Sequence, residues 1–190
     1  MNLEDGTPRC NPELAHMKIL VVDDEPANVA LLEGILTCSG FSRLKGITDS
    51  REALDACKTF QPDLVLLDLM MPHVDGFAIL NALRSVLGEV FLPVIVLTAD
   101  VSEDSKLRAL RARANDFLLK PFDQTEVLIR ITNLLETRRL HLLLDNQRAA
   151  FEDAVRSRTA ELRTALAELE EVKTRFGKPD LTGTLTTKSG

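Results

Sequence analysis

Short apolar runs alternate with amphipathic stretches between residues 17 and 138. The runs are four to six residues long and begin at Met17, Arg43, Leu64, Pro93 and Asp116. Between them, apolar residues recur at spacings of three and four, which is typical of the buried face of a helix. Five strands alternating with helices predict an α/β fold, with a parallel sheet covered by helices on both faces.

Capping residues mark where several of the helices start. Pro26 follows the first run and suits the first turn of a helix, where its missing N–H costs nothing. The other starts are indicated by Asp49 or Ser50, by Ser102 with Glu103 or Ser105, and by the capping box of Asp123 with Glu126.

Four of the apolar runs end in polar residues that suit chemistry. These residues are Asp23 and Asp24, Asp68, Thr98, and Lys120. The carboxyl ends of parallel strands meet at one edge of a sheet, where ligands of open α/β folds bind, so we expect these groups to converge.

Converging carboxylates repel one another unless a cation lies between them. Mg²⁺ prefers oxygen ligands from one or two carboxylates and retains water and substrate oxygens. An amine and a hydroxyl opposite that ion are what a phosphoryl oxygen needs. The pattern therefore suggests transfer of a phosphoryl group to a carboxylate nucleophile, Asp68, screened by Mg²⁺ and Lys120.

The ordered set of motifs resembles the receiver domain of two-component response regulators, from about Met17 to Arg138. The motifs are Val21-Val22-Asp23-Asp24-Glu25-Pro26, Asp68 with Met71-Pro72 and Asp75-Gly76, Thr98-Ala99, and Lys120-Pro121-Phe122. The resemblance implies a flavodoxin-like, doubly wound sheet of five parallel strands in the order 2-1-3-4-5. It also implies a histidine kinase or phosphotransfer protein as partner, and a receiver that phosphorylates and dephosphorylates itself rather than an enzyme.

The same resemblance assigns roles at the site. Asp68 is implied as the phosphoacceptor, and Asp24, Asp68 and the backbone carbonyl of Met70 as direct Mg²⁺ ligands. Asp23 is expected to act on the ion through water. For the switch, Thr98 is expected to hydrogen-bond the phosphoryl oxygen, Lys120 to pair with it, and Phe117 to pack inward on activation.

Two residues depart from the family pattern near the surface that changes on activation. Arg113 stands where a glycine usually takes a left-handed conformation, which predicts backbone strain or a shift of the helix cap to Asn115. Leu119 replaces a common threonine before Lys120.

An aspartate-nucleophile phosphatase is a rival interpretation. Such enzymes carry the nucleophile after the first strand and a second acid two residues later. If Asp24 were that nucleophile, Pro26 would occupy the acid's position, which makes this interpretation unfavourable.

The last predicted helix continues beyond the receiver, since neither glycine nor proline occurs between Asp123 and Phe176. Apolar residues then recur at steps of four and three, as in a parallel coiled coil, with Arg158 as the break. The residues that this heptad seam assigns to dimerisation are Phe151, Val155, Leu162, Leu169 and Val172. The alternative is one amphipathic helix that folds back on its own receiver.

The composition of the chain narrows its possible functions and its cellular location. The net charge of −6 over 190 residues argues against direct DNA binding. No apolar run approaches the roughly 20 residues of a membrane span, and three cysteines without a pairing pattern suggest reduced thiols in the cytoplasm. We predict a disordered leader at 1–16, a receiver at 17–138, a helical extension and coiled coil at 139–176, and a disordered tail at 177–190.

The segment Arg158-Thr159-Ala160-Glu161-Leu162 resembles signalling helices that join receivers to output modules such as HD-GYP phosphodiesterases or diguanylate cyclases. The sequence contains the catalytic motif of neither. We expect either a chain that stops before its output module or a receiver whose output is the coiled coil. A constitutive coiled-coil dimer with a vestigial receiver is the remaining alternative.

Overall fold

The computed structural model describes residues 3–4, 7–8, 11–87, 90–100, 107–108 and 111–176. Five parallel strands form one sheet in the order β2-β1-β3-β4-β5. Their bounds are β1 Lys18–Val22, β2 Arg43–Ile47, β3 Leu64–Asp68, β4 Val94–Thr98 and β5 Asp116–Leu119. The predicted fold and strand order are confirmed.

Four helices with described bounds accompany the sheet. They are α1 Pro26–Cys38, α2 Ala53–Phe60, preceded by a 3₁₀ turn at Ser50–Glu52, α3 Gly76–Leu87 and α4 Gln124–Phe176. Residues 107–108 and 111 are also helical, but the start predicted at Ser102–Ser105 lies outside the described residues. In the described part of the chain, no helix is both long and apolar enough to cross a membrane.

The predicted helix starts agree with the hydrogen bonds at the helix ends. Pro26 is the first residue of α1. The Asp49 carboxylate accepts from the backbone N–H of Arg51, and the Asp123 carboxylate accepts from the backbone N–H of Glu126 at 2.8 Å. These side chains satisfy N–H groups that have no partner within their own helix.

Side chains alternate between the two faces of the sheet and bury two apolar clusters. Ile19 and Val21 of β1 join the cluster under α1 and α4, whereas Leu20 and Val22 join the cluster under α2 and α3. All residues of β3 and β4 are buried. Asp68 and Thr98, which end these two strands, therefore occupy firmly fixed positions.

The folded chain begins earlier than Met17, contrary to our prediction of a disordered leader through residue 16. Leu14 is fully buried in the cluster under α1 and α4. The hydroxyl of Ser42 donates to the carbonyl of Ala15 at 2.9 Å, and Glu13 pairs with Arg139 at 3.0 Å. The buried leucine and these two contacts attach the segment to the first unit. A pair of two-residue strands, Leu3–Glu4 and Thr7–Pro8, precedes it.

The chain divides into two units, and the boundary lies between Leu142 and Leu143. The first unit holds the sheet and its covering helices. In the second unit, the heptad residues of α4 are exposed by 48–70% in the monomer. The predicted tail at 177–190 lies outside the described residues.

Candidate functional site

The polar strand ends converge at the carboxyl edge of the sheet. Asp68 is the last residue of β3, Asp23 directly follows β1, and Thr98 ends β4. Asp23, Asp24 and Asp68 each place a carboxylate oxygen within 4.8 Å of the others. Asp23 and Asp68 are buried, and Asp24 is half-buried. This oxygen set is the kind that Mg²⁺ prefers.

Lys120 bridges two of these carboxylates. Its Nζ lies 2.7 Å from Oδ2 of Asp68 and 2.8 Å from Oδ2 of Asp23. The lysine follows β5, the edge strand of the sheet, so its side chain reaches across β4 to the acids. One ammonium against three carboxylates leaves the cluster with an excess of negative charge.

Burial and pairing act in opposite directions on the ionisable groups of this cluster. Burial raises the pKa of Asp68, although the hydrogen bonds from Lys120 and from the N–H of Met70 work against that rise. Burial alone would lower the pKa of Lys120, but hydrogen bonds to Asp23 and Asp68 outweigh it and raise that pKa. Pairing therefore outweighs burial at Lys120, whereas burial outweighs pairing at Asp68.

Asn28 fixes Asp23, a role that was not recognised from the sequence. Its side-chain amide donates to Oδ1 and Oδ2 of Asp23 at 3.0 and 3.2 Å, and the N–H of Glu25 donates to Oδ1. With Lys120 on Oδ2, both oxygens of Asp23 are occupied. Asn28 stands in the first turn of α1, five residues after Asp23, and that spacing is the signal that could have identified it.

The loop after Asp68 is held by contacts that the sequence analysis also missed. The hydroxyl of Ser50 donates to the carbonyl of Pro72 at 2.7 Å and accepts from the N–H of Val74 at 3.2 Å. The N–H of Gly76 donates to the carbonyl of Leu69 at 3.2 Å. The loop thus returns to the strand that carries the central carboxylate.

Met70, Thr98 and Phe117 occupy different parts of this edge. The backbone N–H of Met70 donates to Oδ1 of Asp68 at 3.1 Å, and its side chain is exposed. The hydroxyl of Thr98, a buried residue, accepts from the N–H of Asp100 at 3.0 Å. Phe117 pairs in register with Val96, two residues before Thr98, and it is half-buried against the cluster under α2 and α3.

Arg113 shows the strain expected from its departure from the family pattern. Its φ is 62°, in the left-handed region. Its carbonyl accepts from Nε and Nη2 of Arg84 at 3.2 and 2.7 Å. The side-chain oxygen of Asn115 meanwhile accepts from Arg84 and from the N–H of Val94. Arg84 was not recognised in the sequence, because only the fold brings α3 to this turn.

A family model described as "Response regulator receiver domain" matches residues 19–132. The chain is 39% identical over 118 residues to "Alkaline phosphatase synthesis transcriptional regulatory protein PhoP" of Bacillus subtilis, which covers 62% of the chain and 48% of that protein. It is 42% identical to "Response regulator MprA" of Mycolicibacterium vanbaalenii, over 63% of the chain and 50% of that protein.

Among solved structures, the receiver domain of Francisella response regulator 1452 matches with a TM-score of 0.60 and 31% identity. The match covers 64% of this chain and 98% of that one. The chain spans about half the length of the curated relatives named here.

Proposed function

The chain belongs to the response regulator receiver family, and we propose that it accepts a phosphoryl group on Asp68. The observation that carries this proposal is the contact between Asp68 and Lys120 at the buried end of β3, beside Asp23 and Asp24. A nucleophilic carboxylate with a fixed cation and a surplus of neighbouring negative charge suits phosphoryl transfer, because that reaction needs positioning and charge compensation.

In the proposed reaction, a carboxylate oxygen of Asp68 attacks the phosphorus of an acyl phosphate or a phosphohistidine. The new O–P bond forms as the bond between phosphorus and the donor breaks, and the donor leaves with that electron pair. Lys120 compensates the charge of the transferred group, and the Thr98 hydroxyl donates a hydrogen bond to one of its oxygens.

Receiver domains bind Mg²⁺ at this acidic group, and the residues present here fit that ion. Asp24 and Asp68 are the proposed direct ligands, together with the backbone carbonyl of Met70. Asp23 is proposed to contribute through water, which is consistent with its oxygens already accepting from Asn28 and Lys120. When bound, Mg²⁺ supplies positive charge that compensates the acids and the incoming phosphoryl group.

The proposed readout of phosphorylation involves β4 and β5. If Thr98 turns toward a phosphoryl group, it gives up the hydrogen bond from Asp100, and space opens beside β5. Phe117 is the aromatic residue proposed to fill that space. The ring has no hydroxyl, so the change would be transmitted through packing alone.

The test uses the full chain with acetyl phosphate and Mg²⁺. We expect a mass increase of one phosphoryl group, no increase for Asp68→Asn, and strong slowing for Lys120→Gln. Asp63→Asn is the matched control, because Asp63 is an acid directly before β3, at the end away from Asp68, and this variant should label normally. Labelling that persists in Asp68→Asn would refute the assignment.

We propose a sensor histidine kinase or a phosphotransfer protein in the cytoplasm as the phosphodonor. The matched relatives include a transcriptional regulator, but they match over only about half of their length, so DNA binding is not carried over. We propose that this chain does not contact DNA itself, and its net charge of −6 supports this. We likewise propose no catalytic activity on a separate substrate.

We further propose that the second unit pairs with the same unit of another chain. Five of its heptad residues, Phe151, Val155, Leu162, Leu169 and Val172, are at least 48% exposed in the monomer. They repeat at coiled-coil spacing, and Glu168 and Lys173 occupy flanking positions suited to an interchain ion pair. Burying such residues against a second copy removes apolar surface from water.

Sedimentation with and without beryllofluoride tests this pairing, on the full chain and on a chain ending before Leu140. A dimer that requires the segment from Leu140 onward supports the coiled coil. A dimer that forms only with beryllofluoride identifies phosphorylation as its trigger. The same dimer in both conditions would favour the constitutive scaffold, and a monomer in both conditions would contradict pairing.

A further inference from the structure

A cavity of about 550 Å³ lies at the amino edge of the sheet, within the first unit. Lys18, which lines it, begins β1, and Asp63 and Leu92 stand just before β3 and β4. Asp68 ends β3 at the other edge, five residues away, which corresponds to about 15 Å. The cavity is therefore separate from the proposed phosphorylation site, and its size is within the range of small-molecule pockets.

The walls of the cavity combine apolar side chains with an excess of positive charge. Leu54, Leu83 and Leu92 supply apolar surface. Among the described lining residues, Lys18, Lys58 and Arg138 contribute three cations, against the one acid Asp63. An occupant that fits this lining is mostly apolar and carries a negative charge.

Arg138 is the cation whose hydrogen bonding is incomplete. The residue is only 9% exposed, and within the described chain its single hydrogen bond runs from Nη1 to the carbonyl of Phe91. Its Nε is buried without a hydrogen bond and forms an ion pair with Oδ1 of Asp63 at 3.7 Å. A guanidinium has five N–H donors, and leaving buried donors unpaired is costly.

The neighbouring polar groups are already engaged with the protein. Oδ2 of Asp63 accepts from the backbone N–H of Lys18 at 2.9 Å, and Nζ of Lys18 donates to the carbonyl of Phe60 at 2.9 Å. The other oxygen of Asp63, Oδ1, is ion-paired with Nε of Arg138, which leaves the guanidinium with one hydrogen bond within the described residues. Because Nε is inaccessible to solvent, an acceptor in the cavity would bind the terminal nitrogens of the Arg138 guanidinium.

We propose that this cavity binds a small organic carboxylate with an apolar body. The carboxylate would accept from the Arg138 guanidinium, with Lys18 and Lys58 adding favourable charge, and the apolar body would lie against the three leucines. A carboxylate matches the planar donor fork of arginine and carries one charge. The apolar walls disfavour a strongly hydrated inorganic anion.

Calorimetry on the full chain with three probes tests both features of the proposed ligand. We expect 2-naphthoate to bind, 2-naphthamide to bind at least about tenfold more weakly, and acetate to show no binding at the same concentrations. Equal affinity for naphthoate and naphthamide would overturn the role of charge. Equal affinity for acetate would mean that the cavity is merely an anion site, and no binding of naphthoate would remove the proposal.

Cys57 provides a direct report from inside the cavity, because it also lines the wall. Burial raises the pKa of its thiol to about 11, so it should react slowly with N-ethylmaleimide at pH 8. Naphthoate should slow that reaction further at Cys57 and leave exposed Cys38 unchanged. Equal slowing at both cysteines, or at neither, would contradict binding in this cavity.

Substitutions complete the test. Arg138→Met should weaken naphthoate binding at least about tenfold, and Lys58→Gln should weaken it less, because Lys58 is exposed. Leu54→Trp should block the cavity without removing a charge. Arg156→Gln, on the second unit, is the matched control and should bind normally. If Arg138→Met does not fold, Lys58→Gln and Leu54→Trp decide the question. Normal naphthoate binding by both of these variants would overturn the proposal.

Discussion

Gly76 allows the loop after Asp68 to return against the strand that carries it. A Cβ at this position would overlap the carbonyl of Asp68 and lie 2.7 Å from Cα of Leu69. Both neighbours are backbone atoms, so neither can move aside without shifting Asp68 itself. The glycine is therefore required by the proposed phosphorylation site as much as by the turn.

Replacing Gly76 with alanine should damage stability and phosphorylation together. We expect the free energy of unfolding to fall by about 1–3 kcal/mol, the usual cost of an added group in a packed site. Incorporation of phosphoryl from acetyl phosphate should slow as well. Chemical denaturation and mass spectrometry measure the two effects.

Gly34→Ala is the matched control for that experiment. No atom lies within 4 Å of the added Cβ, and Gly34 is in the middle of α1. Alanine should therefore stabilise the chain by about 0.5–1 kcal/mol. If the two variants behaved alike, the close approach at Gly76 would have no energetic importance.

Arg113 offers the opposite test, because introducing a glycine at this position should stabilise the fold. Its φ of 62° costs an L-residue about 1–2 kcal/mol, a cost that glycine avoids. Glycine in turn lowers stability by about 0.4–1 kcal/mol, because it adds conformational entropy to the unfolded chain. We expect Arg113→Gly to stabilise the fold by roughly 0.5–1 kcal/mol in urea denaturation, because its carbonyl can still bind Arg84. The helical residue Arg111 is the control, and Arg111→Gly should destabilise by about 1 kcal/mol.

The sequence identified residues at strand ends more readily than the residues that support them. Asp23, Asp68, Thr98 and Lys120 each stand at a break in the apolar pattern, where a polar side chain is conspicuous. Asn28 and Ser50 stand in polar surroundings where such residues are ordinary. Their roles depend on which loop or helix end the fold brings opposite them, and local pattern does not contain that information.

At the scale of elements, the N-terminal segment shows how one apolar residue moves a domain boundary. Periodicity is informative only over several residues, and Leu14 stands outside any apolar run, so the pattern placed the start of the fold at Met17. Leu14 is nevertheless fully buried under α1 and α4. The five strands, by contrast, were recognisable because each is a continuous apolar run or an alternating one.

Leu14→Ala should therefore destabilise the first unit. Truncating a fully buried leucine costs about 2–5 kcal/mol, depending on how far the surroundings collapse. The denaturation midpoint monitored by circular dichroism reports the loss. Glu13→Gln tests the neighbouring exposed ion pair with Arg139, and it should change stability by less than about 1 kcal/mol. If Leu14→Ala left the denaturation midpoint unchanged, this segment would contribute nothing to the stability of the first unit.

At the scale of the whole molecule, the proposed pairing of the second units depends on α4 continuing beyond the core. Through Leu135, α4 is a covering helix, and its residues Val127, Leu128, Ile131 and Leu135 are buried in the cluster under α1 and α4. Beyond Leu143, its apolar residues are exposed at heptad spacing. One continuous helix thus carries two different apolar patterns, which suit two different partners.

Arg158 is the position at which the seam itself can be tested, because it is the polar break between Val155 and Leu162. In the monomer it pairs with Glu161 at 2.7 Å, an exposed pair three residues apart that contributes little. In a parallel dimer, two Arg158 side chains would face each other at the seam. Arg158→Leu should remove that repulsion, bury two leucines and lower the dimer Kd by roughly tenfold or more.

Thr164→Leu adds the same side chain off the seam and should leave the dimer Kd unchanged. Sedimentation equilibrium distinguishes them, and equal effects of the two variants would mean that general hydrophobicity, not the heptad seam, drives association.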